Sequence, residues 1–366
     1  MSICFFKKGG FLMSYPQVLI DLHKIRHNAN HIVNLCKQNK IEVMAITKGV
    51  CALEQVVRAM LGGGVKKLGD ARIDNIKHMR NKGIFAPIYL IRIPMLSEIK
   101  DLVFWADGSL NSEIETIKAI SEEAQAKGKI HKVIVMVDVG DLREGFLPED
   151  VVEAVGQIIN LPGVEFEGLG TNVGCYGGVL PSCDNTNILV RLAKEIEKKY
   201  KVKVKTISGG STVTLDLLEK GNLAPGVNQF RIGEAILLGT DTVNHKQVPG
   251  TFQNTIVLKT EVVELKTKPS KPIGRIGRDA FGNIPHFEDK GLMKRAIVAL
   301  GRQDCMIEGL KPMDATIQII GASSDHLILD VSKSNGIGIG SVVDFNMSYG
   351  AMLGTMTSKY IDKTFK

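Results

Sequence analysis

Between Ile41 and about Thr240, short apolar runs alternate with amphipathic segments, and this alternation limits the possible folds more than any other feature of the chain. The spacing predicts strands at Ile41–Thr47, Lys67–Gly69, Pro87–Ile91, Phe104–Ala106, Lys132–Asp138, Glu165–Thr171, Lys205–Ser208 and Gln229–Ile232. Helical periodicity fills the intervals at Leu53–Leu61, Ile114–Ala126, Val151–Ile159, Ile188–Lys199 and around Leu215–Leu218. Repeated strand–helix units imply a parallel sheet, and eight of them are the number that closes a (β/α)8 barrel.

The flanks read differently. Gln17–Asp21 is expected as an extra strand, and Leu22, Ile25, Ala29, Ile32, Val33 and Cys36 give the following helix an apolar stripe. From Gln253 onward, short alternating runs (Thr255–Val263, Ala296–Leu300, Thr316–Ile320, His326–Val331, Ser341–Phe345) stand between Pro- and Gly-rich turns, the pattern of a compact β domain. Gly336, Gly338 and Gly340 precede no helix and read as a turn, not a nucleotide loop. The boundary is expected near Thr242–Thr251. The fold class is therefore α/β, a (β/α)8 TIM-type barrel over 13–245 followed by a mostly-β domain over 246–366. Residues 1–12 read as an untidy extension, because Lys8-Gly9-Gly10 can be encoded by a purine-rich stretch of ribosome-binding type shortly before Met13.

With 366 residues, 44% hydrophobic and 23% charged, the composition is that of an ordinary globular protein. The net charge of +7 is dispersed, and its densest run (Lys198, Lys199, Lys201, Lys203, Lys205) lacks interleaved aromatics, so no nucleic-acid partner is expected. The six cysteines form no CxxC pair and no metal spacing with histidine, which speaks against a zinc site or a disulfide framework. No apolar stretch approaches a membrane span, and the start does not read as a signal peptide. The expected location is the cytoplasm, with no membrane partner.

In a barrel of this kind, chemistry belongs at the carboxyl ends of the strands. Those ends carry Lys48-Gly49, then DVGDLREG (138–145), GTNVGCYGG (170–178), SGGST (208–212) and RIGEA (231–235). A lysine at the end of a buried strand has a desolvated amine, whose lowered pKa makes it nucleophilic toward an aldehyde. Glycines and hydroxyls after the seventh and eighth strands suit a phosphate group. SGGST reads equally as a helix cap built on Ser211 or Thr212, and RIGEA as a salt-bridged arginine beside a turn.

The segments AITKGVC, DVGDLREGF, GLGTNVGCYGGV, SGGSTVTL, NQFRIGEAILLG, DAFGN, ALGRQD, GASSDHLILDV and SYGAMLGTMTSKY resemble the alanine racemase superfamily of fold-type III pyridoxal-phosphate enzymes, and within it the ornithine racemase branch. The resemblance implies pyridoxal 5′-phosphate as cofactor, no metal, an amino-acid substrate, and a homodimer in which each β domain completes the partner's site. It implies Lys48 as the Schiff-base lysine and one catalytic base. Arg231 would face the pyridine nitrogen, with Asn172 standing where alanine racemases hold a histidine beside that arginine. Arg143 would lie on the phenolic oxygen side, while Ser211, Thr212, the amides of Gly233 and Glu234, and Tyr349 would reach the phosphate.

One departure bears on mechanism. Where alanine racemases carry a tyrosine in a GYADG-like segment, this chain reads GRIGRDAFG (274–282). The second base is left among Asp279, His326 and Cys175, each of which has a structural alternative as turn residue, hydrogen-bond partner or small buried group. A diamino-acid substrate needs a carboxylate for its distal ammonium, with Asp279, Asp304 and Asp325 as candidates. The expected activity is interconversion of L- and D-ornithine. Racemisation of lysine, alanine or serine is the alternative, and a non-enzymatic pyridoxal-phosphate carrier a more distant one, which has no need of a second domain. A metal-dependent D-amino-acid lyase of the same fold would carry a C-terminal His-x-Cys pair, and His326 is followed by Leu327-Ile328.

Overall fold

The computed structural model describes residues 14–244 and 246–366. The proposed start at Met13 and the extension before it lie outside the described residues. The chain divides into two compact units, Asp21–Thr255 on one hand and the N-terminal segment to Ile20 with Ile256–Lys366 on the other. The expected boundary at 245/246 thus falls inside the first unit, and the strand expected to open the barrel domain belongs to the second.

In the second unit, β1 (Gln17–Ile20) pairs antiparallel with Ile256–Lys259 and parallel with Asp362–Phe365. In the first unit, β2 (Glu42–Ile46), β3 (Lys67–Asp70), β4 (Ile88–Leu90), β5 (Gly108–Asn111), β6 (His131–Met136), β7 (Val164–Gly170), β8 (Thr206–Ser208) and β9 (Gln229–Ile232) close a parallel barrel, with β9 pairing back onto β2. One expected strand is corrected: Phe104 and Trp105 end the helix Ile99–Trp105, and the fourth barrel strand follows at Gly108–Asn111. The physical reason is spacing, since Ile99, Leu102 and Val103 bury one face at helical period.

Met44, Ile46, Tyr89, Leu110, Ile134 and Met136 form one buried cluster. Strands β2 and β6 are not neighbours, so these side chains meet across the barrel interior, which is a packed core and not a pore. The Tyr89 hydroxyl donates to Glu167 at 2.6 Å, and Lys67 joins the same carboxylate at 3.2 Å. The helix Leu22–Gln38 begins at Asp21, whose carboxylate accepts from the Lys24 amide at 3.1 Å, and it buries the stripe Ile25, Ala29, Ile32 and Cys36. A short ribbon, β10 (Thr240–Asp241) with β11 (Lys246–Gln247), closes the unit's sequence.

The second unit is an antiparallel sheet around the long strand β12 (Ile256–Pro269). β12 pairs with β13 (Leu292–Val298) and with β17 (Val342–Met347). β14 (Leu310–Pro312) flanks β17, while β15 (Gln318–Ala322) and β16 (Leu327–Asp330) extend the β13 side, and β18 (Asp362–Phe365) lies beside β1. The alternating burial of Ile256, Leu258, Thr260 and Val262 is the pattern of a sheet with one covered face.

Candidate active site

The polar residues of the barrel gather where its parallel strands end. Lys48 opens a single helical turn directly after β2 and is half-buried. Burial lowers the pKa of its amine; Cys175 and the Asp70 and Glu144 carboxylates oppose that fall, and the Arg143 cation adds to it. Lys48, Cys175 and Arg143 therefore share one electrostatic neighbourhood, although they come from three different strand ends.

Arg231, on β9, is 5% exposed. Its guanidinium donates to the Ser208 hydroxyl at 2.6 Å and to the Thr171 carbonyl. Among the described residues it has no carboxylate partner within ion-pair distance, and burial pushes its pKa down to about 10. The loops after β8 and β9 are tied together: the Arg231 amide donates to the Gly210 carbonyl at 2.9 Å, and the Ala235 amide to Thr212 Oγ1 at 3.2 Å. Gly210 has φ +139°, and a Cβ there would sit 2.1 Å from Thr214 Oγ1, so only glycine lets this loop pass. Ser211 occupies the position before the short turn Thr212–Thr214 without a side-chain capping bond, so the cap reading of SGGST does not hold for either hydroxyl. Gly233 and Glu234 lead into Glu234–Leu237, and the Glu234 carboxylate is taken by Thr240 and Thr242.

Arg143 is held by the neighbouring Glu144 carboxylate and lies 2.8 Å from Cys175 Sγ, and these contacts raise its pKa. Asn172, with its amide oxygen turned to this guanidinium, accepts from both terminal nitrogens at 3.1 and 3.2 Å. The structure thus sets Asn172 against Arg143, whereas the resemblance implied a place beside Arg231. Cys175 is exposed, which corrects its alternative reading as a small buried group. Asp141, which sequence reasoning missed, clasps the two loops by accepting from the Tyr176 and Val179 amides at 3.0 and 3.2 Å. Its signal was present: an aspartate beside Gly140 in a loop that needs fixing.

The remaining candidates belong to the other unit. Asp279 is a turn residue accepting from the Phe281 and Asn283 amides, and Asp325 accepts from Ser323 and Ser324. His326 is exposed, 3.3 Å from Asp325. Asp304 is 6% exposed, accepts from the Gly301 amide at 3.0 Å, and borders a cavity of about 510 Å³ with Arg302, Glu308 and Ser358. Tyr349 opens the helix Tyr349–Thr357 behind Ser348, whose hydroxyl caps it. Among the described residues no group of three His, Cys, Asp or Glu is disposed to hold a metal, and no helix is long and apolar enough to cross a membrane.

The alanine racemase N-terminal domain family matches residues 20–241. Ornithine racemase of Acetoanaerobium sticklandii is 44% identical over 351 residues, covering 95% of this chain and 99% of that protein. Lysine racemase of Thermotoga maritima is 38% identical over 354 residues, covering 97% and 99%. An alanine racemase structure from Clostridium difficile 630 aligns with a TM-score of 0.74 at 18% identity, covering 97% of this chain and 96% of that one. D-threonine aldolase from Filomicrobium marinum aligns at 0.73 and 15% identity, covering 94% and 89%. These two structural likenesses establish the shared architecture.

Proposed function

The chain belongs to the alanine racemase family, and from that membership we propose that it is a pyridoxal 5′-phosphate-dependent racemase interconverting L- and D-ornithine. The observation that carries the cofactor assignment is the pairing, at one barrel mouth, of a lysine whose amine is driven toward neutrality with a buried arginine that no carboxylate neutralises. A guanidinium has five N–H donors, and those not spent on Ser208 and Thr171 fit the lone pair of a neutral ring nitrogen. The residues present therefore suit the cofactor.

When bound, pyridoxal 5′-phosphate joins an amine through its aldehyde and draws electron density from the adjacent Cα–H bond. Arg231 keeps its proton at neutral pH, so it would donate a hydrogen bond to the ring nitrogen without protonating it. Ser211, Thr212 and the amides of Gly233 and Glu234 would hold the phosphate, and Arg143, fixed by Glu144 and Asn172, would serve the phenolic oxygen. Lys48 takes the α-proton on one face as a neutral amine and returns it as an ammonium. For the opposite face we take Cys175 from the three candidates, because its thiol shares the electrostatic neighbourhood of Lys48, while Asp279 and Asp325-bound His326 are engaged in exposed turns.

Ornithine is preferred because the chain is 44% identical to an ornithine racemase over nearly the whole of both chains, and the 38% identical lysine racemase makes lysine the second reading. We place the working enzyme in the cytoplasm as a homodimer, which sedimentation of the purified protein tests. Borohydride reduction followed by peptide mapping is expected to trap the cofactor on Lys48, and a chiral assay across ornithine, lysine, alanine and serine to show turnover of the basic pair. An adduct on another residue overturns the site, and absence of ornithine and lysine turnover overturns the substrate class.

A further inference from the structure

Asp70 ends β3 with its side chain fully out of solvent. Its Oδ2 accepts from Thr47 Oγ1 at 2.6 Å, and its Oδ1 accepts from the Arg72 amide and from Asn75 Nδ2, each at 2.9 Å. Every one of these donors is neutral, and among the described residues no lysine or arginine forms an ion pair with this carboxylate. A buried charge held only by neutral groups is costly, so its retention asks for a reason. Burial correspondingly raises its carboxyl above the ordinary value, and the side-chain and amide hydrogen bonds pull it back.

Thr47 is the link to Lys48. It is itself fully buried, donates its amide to the Gly69 carbonyl at 2.9 Å, and accepts at its own carbonyl from the amides of Val50 and Ala52 at 3.1 and 3.2 Å. The turn that presents Lys48 therefore hangs from one residue, and that residue's hydroxyl is tied to Asp70. The groups acting electrostatically on the Lys48 amine are Cys175, Arg143, Asp70 and Glu144. Three of them ride on the glycine-rich loops 138–145 and 170–178, while Asp70 sits on a barrel strand, where its position is set by the sheet.

We propose that the Thr47–Asp70 pair is a positioning device for Lys48, in which Thr47 fixes the turn that presents the amine and Asp70, bonded to Thr47, anchors that turn and adds a buried carboxylate to the amine's surroundings. The inference rests on reading Lys48 as the proton-exchanging amine of a racemase. Desolvation alone favours the neutral amine, which suits proton removal, yet the reverse direction needs the same nitrogen to hold a proton and deliver it. A fixed negative charge works against that fall and supports the protonated form, so the same nitrogen is helped in both directions.

The test is made on the full-length chain, freed of bound aldehyde with hydroxylamine, by competitive acetylation with acetic anhydride across a pH series and peptide mass spectrometry of Lys48. Asp70→Asn keeps the shape and an acceptor oxygen but removes the charge. Its labelling midpoint is expected to fall by about half a pH unit or more, so that Lys48 labels roughly threefold faster below the midpoint. Thr47→Val keeps the charge and cuts the tether; it is expected to lower kcat with little change in KM, and Thr47→Ser to restore it. An unchanged midpoint in a folded Asp70→Asn protein overturns the electrostatic half, and parental kcat in Thr47→Val overturns the tether. If Asp70→Asn does not fold, the Thr47 pair decides the proposal alone. A parent that racemises no amino acid refutes the functional reading, and the labelling shift, which needs no turnover, is read separately from it.

Discussion

His131 provides a sharp test of the physical reasoning because its environment is unambiguous. It opens β6 with 1% exposure, its Nε2 lies 2.9 Å from Ser109 Oγ, and its Nδ1 has no partner among the described residues. Burial, aided by the Lys129 cation, pushes its pKa down from 6.5 to about 4. Between those values the unfolded chain binds a proton that the native state does not, so stability falls as pH drops through this window and the loss is complete below the native value. With about 1.36 kcal/mol for each pKa unit, this single ring removes about 2.5 kcal/mol between about pH 7.5 and about pH 4.5. Asp70 and Glu234, whose carboxyls burial raises, act in the opposite sense, so the total slope is not diagnostic. The difference between the parent and His131→Gln is. Urea unfolding followed through the fluorescence of Trp105, the chain's single tryptophan, reports on the same unit. The variant is expected to be the less stable protein at neutral pH and to close that gap, or reverse it, in acid. Parallel stability curves for the two proteins across the window would refute the assignment of His131 as a buried neutral ring.

Three further outcomes follow from the geometry. Cys175→Ser is expected to suppress racemisation by at least about tenfold while retaining exchange of the α-proton with deuterium oxide for one enantiomer only, followed by NMR; full racemisation removes Cys175 from the second-base role. Gly168→Ala would set a Cβ 1.9 Å from the Thr206 carbonyl oxygen, a backbone atom that cannot swing aside. The barrel is therefore expected to lose more than about 3 kcal/mol or fail to fold, read by circular dichroism of the soluble fraction. Ser208→Ala withdraws the acceptor held 2.6 Å from Arg231 and is expected to cost about 1–3 kcal/mol in urea unfolding, with faster loss of pyridoxal phosphate on dialysis.

The barrel was legible in the sequence because most of its strands are largely buried and read as apolar runs, and Gln229–Ile232 and Ile114–Ala126 emerge with the predicted bounds. The fourth barrel strand was misplaced for the same reason. Gly108–Asn111 carries a glycine, a serine and an asparagine, and its polar side chains are buried with Ser109 bonded to His131 Nε2 and to Asn111 Nδ2, so the strand does not read as an apolar run. A run of apolar letters nearby, Phe104 with Trp105, therefore drew the assignment although Phe104 is 54% exposed. Hydrophobic periodicity reports transfer free energy, and a strand whose burial is balanced by hydrogen bonds is silent to it.

The same distinction governs the site. Positions along the chain were readable, since strand ends must converge at one mouth of a parallel barrel, and Lys48, Arg143, Arg231 and the SGGST loop are all found there. Pairings were not, because a loop's side-chain partners depend on its path, and the path of 138–145 is set by local choices: Asp138 accepting from the amides of Gly140 and Leu142, and Asp141 reaching over to the next loop. That clasp leaves Asn172 and Cys175 facing Arg143. It also explains why Arg231 is left with a hydroxyl and a carbonyl instead of a side-chain amide: the residue expected to serve it is already bound to the other arginine. A buried guanidinium bonded only to a hydroxyl and a carbonyl, with the Glu144 carboxylate acting on it without an ion pair, keeps N–H donors that suit a neutral aromatic nitrogen, whereas a carboxylate at that position would favour a protonated ring and a different reaction.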